Sequence, residues 1–281
     1  MFYLREMVYQ MNKLIKIGLV SLMMFTIGCS SKKNDYQSES STTTQQTENS
    51  SKKDGIQNDG EGEYRTTETG AKLYIEPKEE PEEKKPEPDL TGVEITEENF
   101  RNFPETSKNY FKYEWDEYGN SYNITGCTSE SRVVHVPSKI NGRPVKMINP
   151  HALSELPNVE AIVLPDSVGS VREDALSHNP KLKYIEFGKS LFVLCEDSML
   201  SLPSLEKVVL PESLEKIEAW VFSGENLKDI YLPSNVKKLS NLFCLSKSCS
   251  PDLKIHVKAG SVTAENIKNS DLVAENKVIF E

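Results

Sequence analysis

The sequence predicts a mainly β chain, with a short solenoid of about 23-residue repeats and little helix, preceded by a disordered stalk. Two observations predict this fold class. Short apolar runs that end in proline recur through the C-terminal part: "VVHVP", "AIVLP", "KVVLP" and "DIYLP". By contrast, the segment from residue 30 to about residue 90 is nearly all Ser, Thr, Gln, Glu, Lys and Pro, so it offers few groups that a core could bury.

The N-terminal region has the pattern of an export signal. Lys13 and Lys16 precede an apolar or small run over residues 17–28, which is too short to span a hydrocarbon core of ~30 Å comfortably. We therefore predict a signal peptide over residues 1–28, and we expect translation to begin at Met11.

The segment "TIGC" that closes this run resembles the lipobox of bacterial lipoproteins, with Thr26 at a position where Leu is common. In that family the cysteine is lipidated on its sulfur and becomes the new N-terminus. The resemblance implies a lipid on Cys29 that holds the chain to a membrane. An ordinary signal peptide or an uncleaved anchor is the alternative.

Residues 29–108 are predicted to be a lipidated N-terminus and a disordered stalk rich in polar residues, Pro and Glu. The stalk has no apolar period of 2 or 3.6 residues. Its stretch "EPKEEPEEKKPEP" should be stiffer, because Pro favours an extended backbone and like charges repel. A flexible coil of about 60 residues spans on the order of 45 Å, so we interpret the stalk as a spacer.

The repeats align on four prolines and one glycine: Pro137, Pro165, Gly188, Pro211 and Pro233. The intervals are 28, 23, 23 and 22 residues, and fixed periods of this length are typical of a solenoid. The first interval is longer because "NGRPV" is inserted, and its Asn-Gly pair predicts a tight turn.

Apolar residues alternate with period 2 just before each Pro or Gly, which predicts strands. The interior positions are Ile162 and Leu164, Ile185 and Phe187, Val208 and Leu210, and Ile230 and Leu232. One such unit has an apolar edge that it cannot cover alone, and the next unit covers that edge and pairs with its backbone.

The pattern "L..I.LP.SV..I....F" resembles the BspA-like, or treponemal-type, leucine-rich repeats; here it is carried by Leu205, Val208, Leu210, Pro211, Leu214, Ile217 and Phe222. The resemblance extends from about Tyr110 to Asn269. It includes an opening with "ITG" and "INGRPV" and a closing "KAGSVTAENIKNS". It implies an N-terminal cap and first coil over 109–150, leucine-rich repeats over 151–258 and a C-terminal cap over 259–281. It also implies protein–protein contacts, including adhesion to host or neighbouring cells.

A candidate protein-binding face lies at the strand positions that should point outward. In the middle coils these are Tyr184, Glu186, Lys207, Val209, Asp229 and Tyr231, and in the first coils Val133, His135, Ala161 and Val163. Aromatic side chains ringed by polar groups suit protein interfaces. The alternative is that these are ordinary solvated strand positions.

The sequence shows no pattern of catalytic chemistry. The histidines at 135, 151, 178 and 256 have no spacing that suggests a nucleophile with its base, and we find no phosphate-binding glycine loop and no HExxH motif. The net charge of −10 and the lack of a long Lys/Arg stripe argue against nucleic acid. We therefore predict no enzyme activity, no cofactor and no metal.

Two cysteines lie close together in "CLSKSC". Cys244 and Cys249 are a candidate disulfide, since an exported domain can be oxidised. The alternatives are that Cys244 fills a small core space as a free thiol, or that the pair forms a metal site with His256.

Together these features predict a bacterial envelope lipoprotein, exported and displayed at the cell surface. Its leucine-rich repeats would bind an unidentified protein without catalysis, with adhesion or host interaction as the implied role. A structural envelope or periplasmic spacer without a host ligand is the alternative, and a hydrolase on a repeat scaffold is less favoured.

Overall fold

The computed structural model describes residues 55–79, 85–223, 226–240, 250–269 and 277–281. The predicted signal peptide, the lipid attachment residue Cys29 and the candidate disulfide Cys244–Cys249 lie outside the described residues. The described residues all belong to one compact unit.

The described chain is mainly β with one α-helix. The strands are β1 (Gln57–Asn58), β2 (Glu63–Thr66), β3 (Lys72–Tyr74), β4 (Phe111–Asp116), β5 (Ser121–Cys127), β6 (Val133–His135), β7 (Lys139–Ile140), β8 (Arg143–Ile148), β9 (Ala161–Val163), β10 (Ser170–Val171), β11 (Tyr184–Glu186), β12 (Val193–Leu194), β13 (Lys207–Val209), β14 (Lys216–Ile217), β15 (Asp229–Tyr231), β16 (Lys238–Leu239), β17 (Lys254–Val257) and β18 (Val278–Phe280). The helix α1 covers Val262–Lys268, and 3-10 helices cover Phe100–Asn102 and Lys108–Tyr110.

The predicted solenoid is confirmed. Six coils begin with the strands β6, β9, β11, β13, β15 and β17, which stack in parallel on one side of the solenoid. We call this side the strand face. The second short strands of the coils form the other side, in an eight-stranded sheet ordered β16-β14-β12-β10-β8-β5-β4 with β7 against β8. The sixth coil is not marked in the sequence, because Lys258 follows its strand in place of Pro.

The interior positions of successive coils are paired directly. Ile162 pairs with Ile185, and Ile230 pairs with Val208 and Ile255. All five side chains are buried. Each coil therefore covers the apolar edge of its neighbour, as the alternation before the prolines predicts.

Two hairpins open the domain, and a helix and a strand close it. The strands β4 and β5 pair antiparallel, as do β7 and β8. Asn141 and Gly142 join β7 to β8 with φ of 49° and 77°, the left-handed geometry that an Asn-Gly hairpin requires. Ser261 caps α1 by accepting a hydrogen bond from the backbone N–H of Ala264 at 3.1 Å.

The coil corners use left-handed residues at a fixed interval. His151, Asp174, Asp197 and Trp220 have φ between 53° and 60° and recur every 23 residues. Asp and His adopt this conformation more often than most residues that carry a Cβ atom, whereas a bulky Trp rarely does. At Trp220 the corner therefore depends on coil stacking to impose a backbone conformation that the residue itself does not favour.

The structure differs from the predicted disordered stalk over residues 55–79 and 85–108. The strands β1, β2 and β3 form an antiparallel sheet. This sheet is tied to the first hairpin, because Tyr74 N–H donates to Glu117 O at 2.8 Å and the indole N–H of Trp115 donates to Tyr74 O at 3.3 Å. Scattered apolar residues such as Leu73 and Tyr74 thus gain partners from a distant part of the chain, which period analysis does not detect.

Residues 90–106, which we call the strap, pack on the strand face of the first coils. Leu90, Ile95 and Phe100 of the strap are buried in a second apolar cluster, separate from the solenoid core. Their partners on the strand face are Val133, Ala161 and Val163. Within the described residues, no helix has both the length and the apolar character needed to cross a bilayer.

Candidate protein-binding face

The six predicted face residues lie on three consecutive coils. Tyr184 and Glu186 are on β11, Lys207 and Val209 on β13, and Asp229 and Tyr231 on β15. In each strand they flank one buried residue, so both side chains point away from the core. Lys207 pairs with Asp229, and Val209 pairs with Tyr231. The structure therefore brings these four residues together on one surface.

The tip of the strap, residues 97–101, contacts three of the predicted residues. Phe100 stacks on Tyr184, with ring centroids 5.4 Å apart and ring planes 15° apart. Arg101 donates from Nε to Glu186 Oε2 at 2.8 Å, and its Nη2 lies 2.8 Å from the same oxygen. Lys207 Nζ lies 2.6 Å from Glu97 Oε1, and this hydrogen bond raises the pKa of Lys207 above its ordinary value.

The strap also corrects the prediction for the first coils. Val133, Ala161 and Val163 do face away from the core, but they are only 4%, 0% and 7% exposed because the strap covers them. His135 is half-buried, and its Nδ1 lies 2.9 Å from Phe103 O. These positions are apolar because they form an internal contact, and they are not part of the open face.

The strand face is divided between the third and fourth coils. The strands β6, β9 and β11 form one sheet, and β13, β15, β17 and β18 form another. The strap tip bridges this division, since Arg101 reaches β11 and Glu97 reaches β13. A groove of about 790 Å³ opens here, and its lining includes Phe100, Arg101, Tyr184, Lys207, Val209 and Asp229.

The far end of the face is held by a histidine between two carboxylates. The ring of His256 stacks on Tyr231 with centroids 4.2 Å apart. Its Nε2 lies 2.8 Å from Asp229 Oδ1, and its Nδ1 lies 2.7 Å from Glu281 Oε1. Burial disfavours the charged ring, but the hydrogen bonds to Asp229 and Glu281 outweigh it and raise the pKa of His256 above its ordinary value. Asp229 is thus engaged within the fold.

A row of alternating charges runs along one edge of the strand face, at the position before the first strand in each of the first five coils. Its members are Arg132, Glu160, Lys183, Glu206 and Lys228. In the sixth coil this position is Leu253. Glu160 lies 2.6 Å from Arg132 Nε and 2.9 Å from Lys183 Nζ, and Lys228 Nζ lies 2.8 Å from Glu206. The hydrogen bonds from Arg132 and then Lys183 lower the pKa of Glu160 despite its burial.

A cluster on the opposite sheet has metal-binding atom types. One donor atom each from Glu173, Cys195 and Glu218 lie within 4.8 Å of one another. Burial raises the pKa of the Cys195 thiol, which disfavours the thiolate that binds metals. Glu218 already accepts hydrogen bonds from the Lys216 ammonium and from the backbone N–H of Glu196. We therefore interpret this cluster as a set of side chains that hydrogen-bond within the protein.

The repeats match a known family. Residues 132–250 match the model of the BspA type leucine rich repeat region in six copies, the same number as the coils in the structure. Residues 132–250 are therefore a BspA-type leucine-rich-repeat region. The match begins at Arg132, beside β6, and so includes every residue of the predicted face.

Solved leucine-rich-repeat structures resemble this chain over about half of its length. The leucine-rich-repeat protein of T. pallidum is 26% identical with a TM-score of 0.49, covering 55% of this chain and 71% of that one. A leucine-rich cell surface protein from Faecalibacterium prausnitzii is 27% identical with a TM-score of 0.47, covering 55% and 39%. No curated protein matches the chain.

Proposed function

We propose that this protein is a bacterial envelope lipoprotein whose leucine-rich repeats bind another protein without catalysis. One observation carries the binding proposal: the strand face next to the strap tip presents Lys207, Val209 and Tyr231 beside a groove. Val209 is 52% exposed although it lies at the centre of the face. An apolar side chain next to an aromatic ring and mixed charges is typical of a protein interface.

The match of residues 132–250 to BspA-type leucine-rich repeats supports this proposal, because leucine-rich repeats commonly serve as protein-interaction domains. Extended repeat surfaces bind through outward side chains held on stacked strands. The lipid on Cys29, display at the cell surface and a role in adhesion remain proposals that rest on the sequence. A lipidated Cys29 would leave residues 30–54 to separate the membrane from the first sheet.

Two measurements test the proposed anchoring. Mass spectrometry of the mature protein should find an N-terminal Cys29 carrying acyl chains, and an unmodified Cys29 within an intact N-terminus would refute the lipoprotein. Protease added to whole cells should release fragments of the repeats. Protection of the repeats in intact cells would instead support the alternative of a structural component facing the periplasm.

The binding proposal is tested with labelled full-length protein that carries Cys29→Ser and is added to host cells or to sister cells. We expect bound fluorescence in flow cytometry to fall at least several-fold when Tyr184, Lys207 and Tyr231 are all changed to Ala. The matched control is Phe192→Ala, because Phe192 is 55% exposed and lies beside the opposite sheet. Equal binding by the triple variant and the wild type would exclude the strand face as the site.

A further inference from the structure

The strap tip presents three side chains in a fixed arrangement. Glu97, Phe100 and Arg101 lie at positions i, i+3 and i+4. The backbone here is a helical turn, since Phe100 N–H donates to Thr96 O at 3.2 Å and Asn102 N–H donates to Asn99 O at 2.9 Å. Residues with this spacing share one side of a helical turn. A carboxylate, an aromatic ring and a guanidinium therefore face the strand face together.

Each of these side chains meets a chemically matched group on the strand face. The carboxylate of Glu97 meets the ammonium of Lys207, the ring of Phe100 meets the ring of Tyr184, and Arg101 meets Glu186. The Arg101 guanidinium also lies 4.2 Å from the centroid of the Phe100 ring. The three partner residues are members of the predicted binding face, so the strap tip occupies part of the surface that an external protein would use.

The contacts of the strap tip are unequal in strength. Side-chain exposures are 45% for Arg101 and 41% for Glu186, and 44% for Lys207 and 51% for Glu97. Ion pairs as exposed as these contribute little to stability, and their contribution falls further as salt is added. Phe100 is only 1% exposed, so the burial of its ring contributes most of the free energy that keeps the strap tip on the strand face. The tip is thus held mainly by one side chain, beside an open groove that continues along the same face.

We propose that the strap tip occupies a peptide-binding site, and that the protein ligand displaces it with a helical turn of the same chemistry. That turn carries a carboxylate, an aromatic ring three residues later and an arginine four residues later. This inference rests on the proposed function, since it names the partner and the regulation of the same site. The strap is part of the same chain and competes with the ligand at a high effective concentration, so it lowers the apparent affinity of the ligand.

The experiment uses the full chain with Cys29→Ser and a fluorescein-labelled peptide of residues 94–103, with fluorescence anisotropy as the readout. The variant Phe100→Ala removes the anchor of the chain's own strap. We expect this variant to bind the peptide about tenfold or more tightly than the wild type, because its site is no longer blocked. Adding Tyr184→Ala to this variant, or changing the phenylalanine at position 100 of the peptide to alanine, should abolish the gain.

A second variant keeps the apolar anchor in case Phe100→Ala disturbs folding. The double change Glu97→Lys and Arg101→Glu places like charges against Lys207 and Glu186, and it should also strengthen peptide binding. The control chain Phe192→Ala should bind the peptide as the wild type does. Equal affinity of the folded wild type and both strap variants would overturn the inference, as would a gain that survives Tyr184→Ala.

Failure of this inference differs from failure of the proposed function. If cell binding depends on Tyr184, Lys207 and Tyr231 but neither strap variant binds the peptide, the face binds a protein of other chemistry and the inference is refuted. If both strap variants bind the peptide but the triple variant binds cells normally, the inference holds for the peptide site and the proposed cell-binding role of that face is refuted.

Discussion

Gly188 lies against Pro165 so closely that a Cβ atom at residue 188 would stand 2.0 Å from the Pro165 carbonyl oxygen. The glycine that replaces proline in the repeat is therefore required by the approach of two coils. We expect Gly188→Ala to lower the free energy of unfolding by about 3 kcal/mol or more, because backbone cannot yield as a side chain can. Chemical denaturation would measure this. Gly126→Ala is the control, since its Cβ would meet only the Lys112 side chain, at 3.3 Å.

Asn179 connects two coils through a fully buried side chain. Its Oδ1 accepts from Leu156 N–H at 2.8 Å, and its Nδ2 donates to the carbonyl oxygens of Leu153 and Leu176 at 2.8 Å. Asn179→Leu leaves three buried backbone groups without partners, so we expect a loss of roughly 3 kcal/mol or more. Asn158→Leu, at an exposed position, should change stability by less than about 0.5 kcal/mol. Comparable losses in the two variants would contradict this role.

The surroundings of His256 predict that the free energy of unfolding of the protein falls as pH rises. A neutral imidazole has one N–H and can donate to only one of the two carboxylates that flank it, Asp229 and Glu281. Since the pKa of His256 is raised in the folded state, the stabilisation is complete below the ordinary pKa near 6.5. It is lost as pH rises through the folded-state value.

Asp229→Asn should therefore destabilise the protein at pH 5.5 and have less effect at alkaline pH. Thermal unfolding across this range, with NMR titration of the His256 ring, would measure both effects. Asp252→Asn, at an exposed site before β17, is the control. A difference between wild type and Asp229→Asn that does not vary with pH would argue against a charged His256.

The ion pairs of Glu160 predict the opposite pH dependence: their contribution to the free energy of unfolding falls as pH is lowered. Because the pKa of Glu160 is lowered in the folded state, its contribution is present above the ordinary value of about 4.3 and is lost as pH falls through the folded-state value. We expect Glu160→Gln to cost about 1 kcal/mol at pH 7 and progressively less below pH 4. Glu68→Gln, in an exposed turn, should show no such pH-dependent cost in denaturant unfolding.

The candidate disulfide between Cys244 and Cys249 is decided by counting thiols in unreduced, denatured protein that carries Cys29→Ser. Cys127 and Cys195 are free in the structure, so a bridge predicts two reactive thiols. Four reactive thiols would exclude the bridge. Denaturation is needed because Cys195 is buried and burial raises the pKa of the Cys127 thiol to about 11.

The solenoid could be predicted because its signal is local and repeated. The alternation around Ile162, Ile185 and Val208 is visible within five residues, and the period multiplies it. The strand of the sixth coil lies inside the predicted repeat range 151–258, but no proline marks its end, because Lys258 stands where Pro closes most of the other strands. The left-handed corner at Trp220 could not be predicted, because stacking between coils imposes it on a residue that rarely adopts positive φ.

The binding face could be predicted only in part. Counting from the prolines placed Lys207, Val209 and Tyr231 correctly on an outward surface. It could not reveal that Phe100 covers part of that surface, because the contact joins residues more than 80 positions apart in a segment of polar composition. One signal was present: Val133, Ala161 and Val163 are apolar at outward positions, and such a patch on a solvated face needs a cover.

The row of alternating charges restricts how this molecule can change in length. Arg132, Glu160, Lys183, Glu206 and Lys228 alternate in sign from coil to coil. Deleting the coil of Lys183 would set Glu160 beside Glu206, whereas deleting two adjacent coils would set Glu160 beside Lys228 and restore the pairing. Recombination that removes two coils should therefore give a folded protein more readily than recombination that removes one coil, because only the removal of an even number keeps opposite charges adjacent.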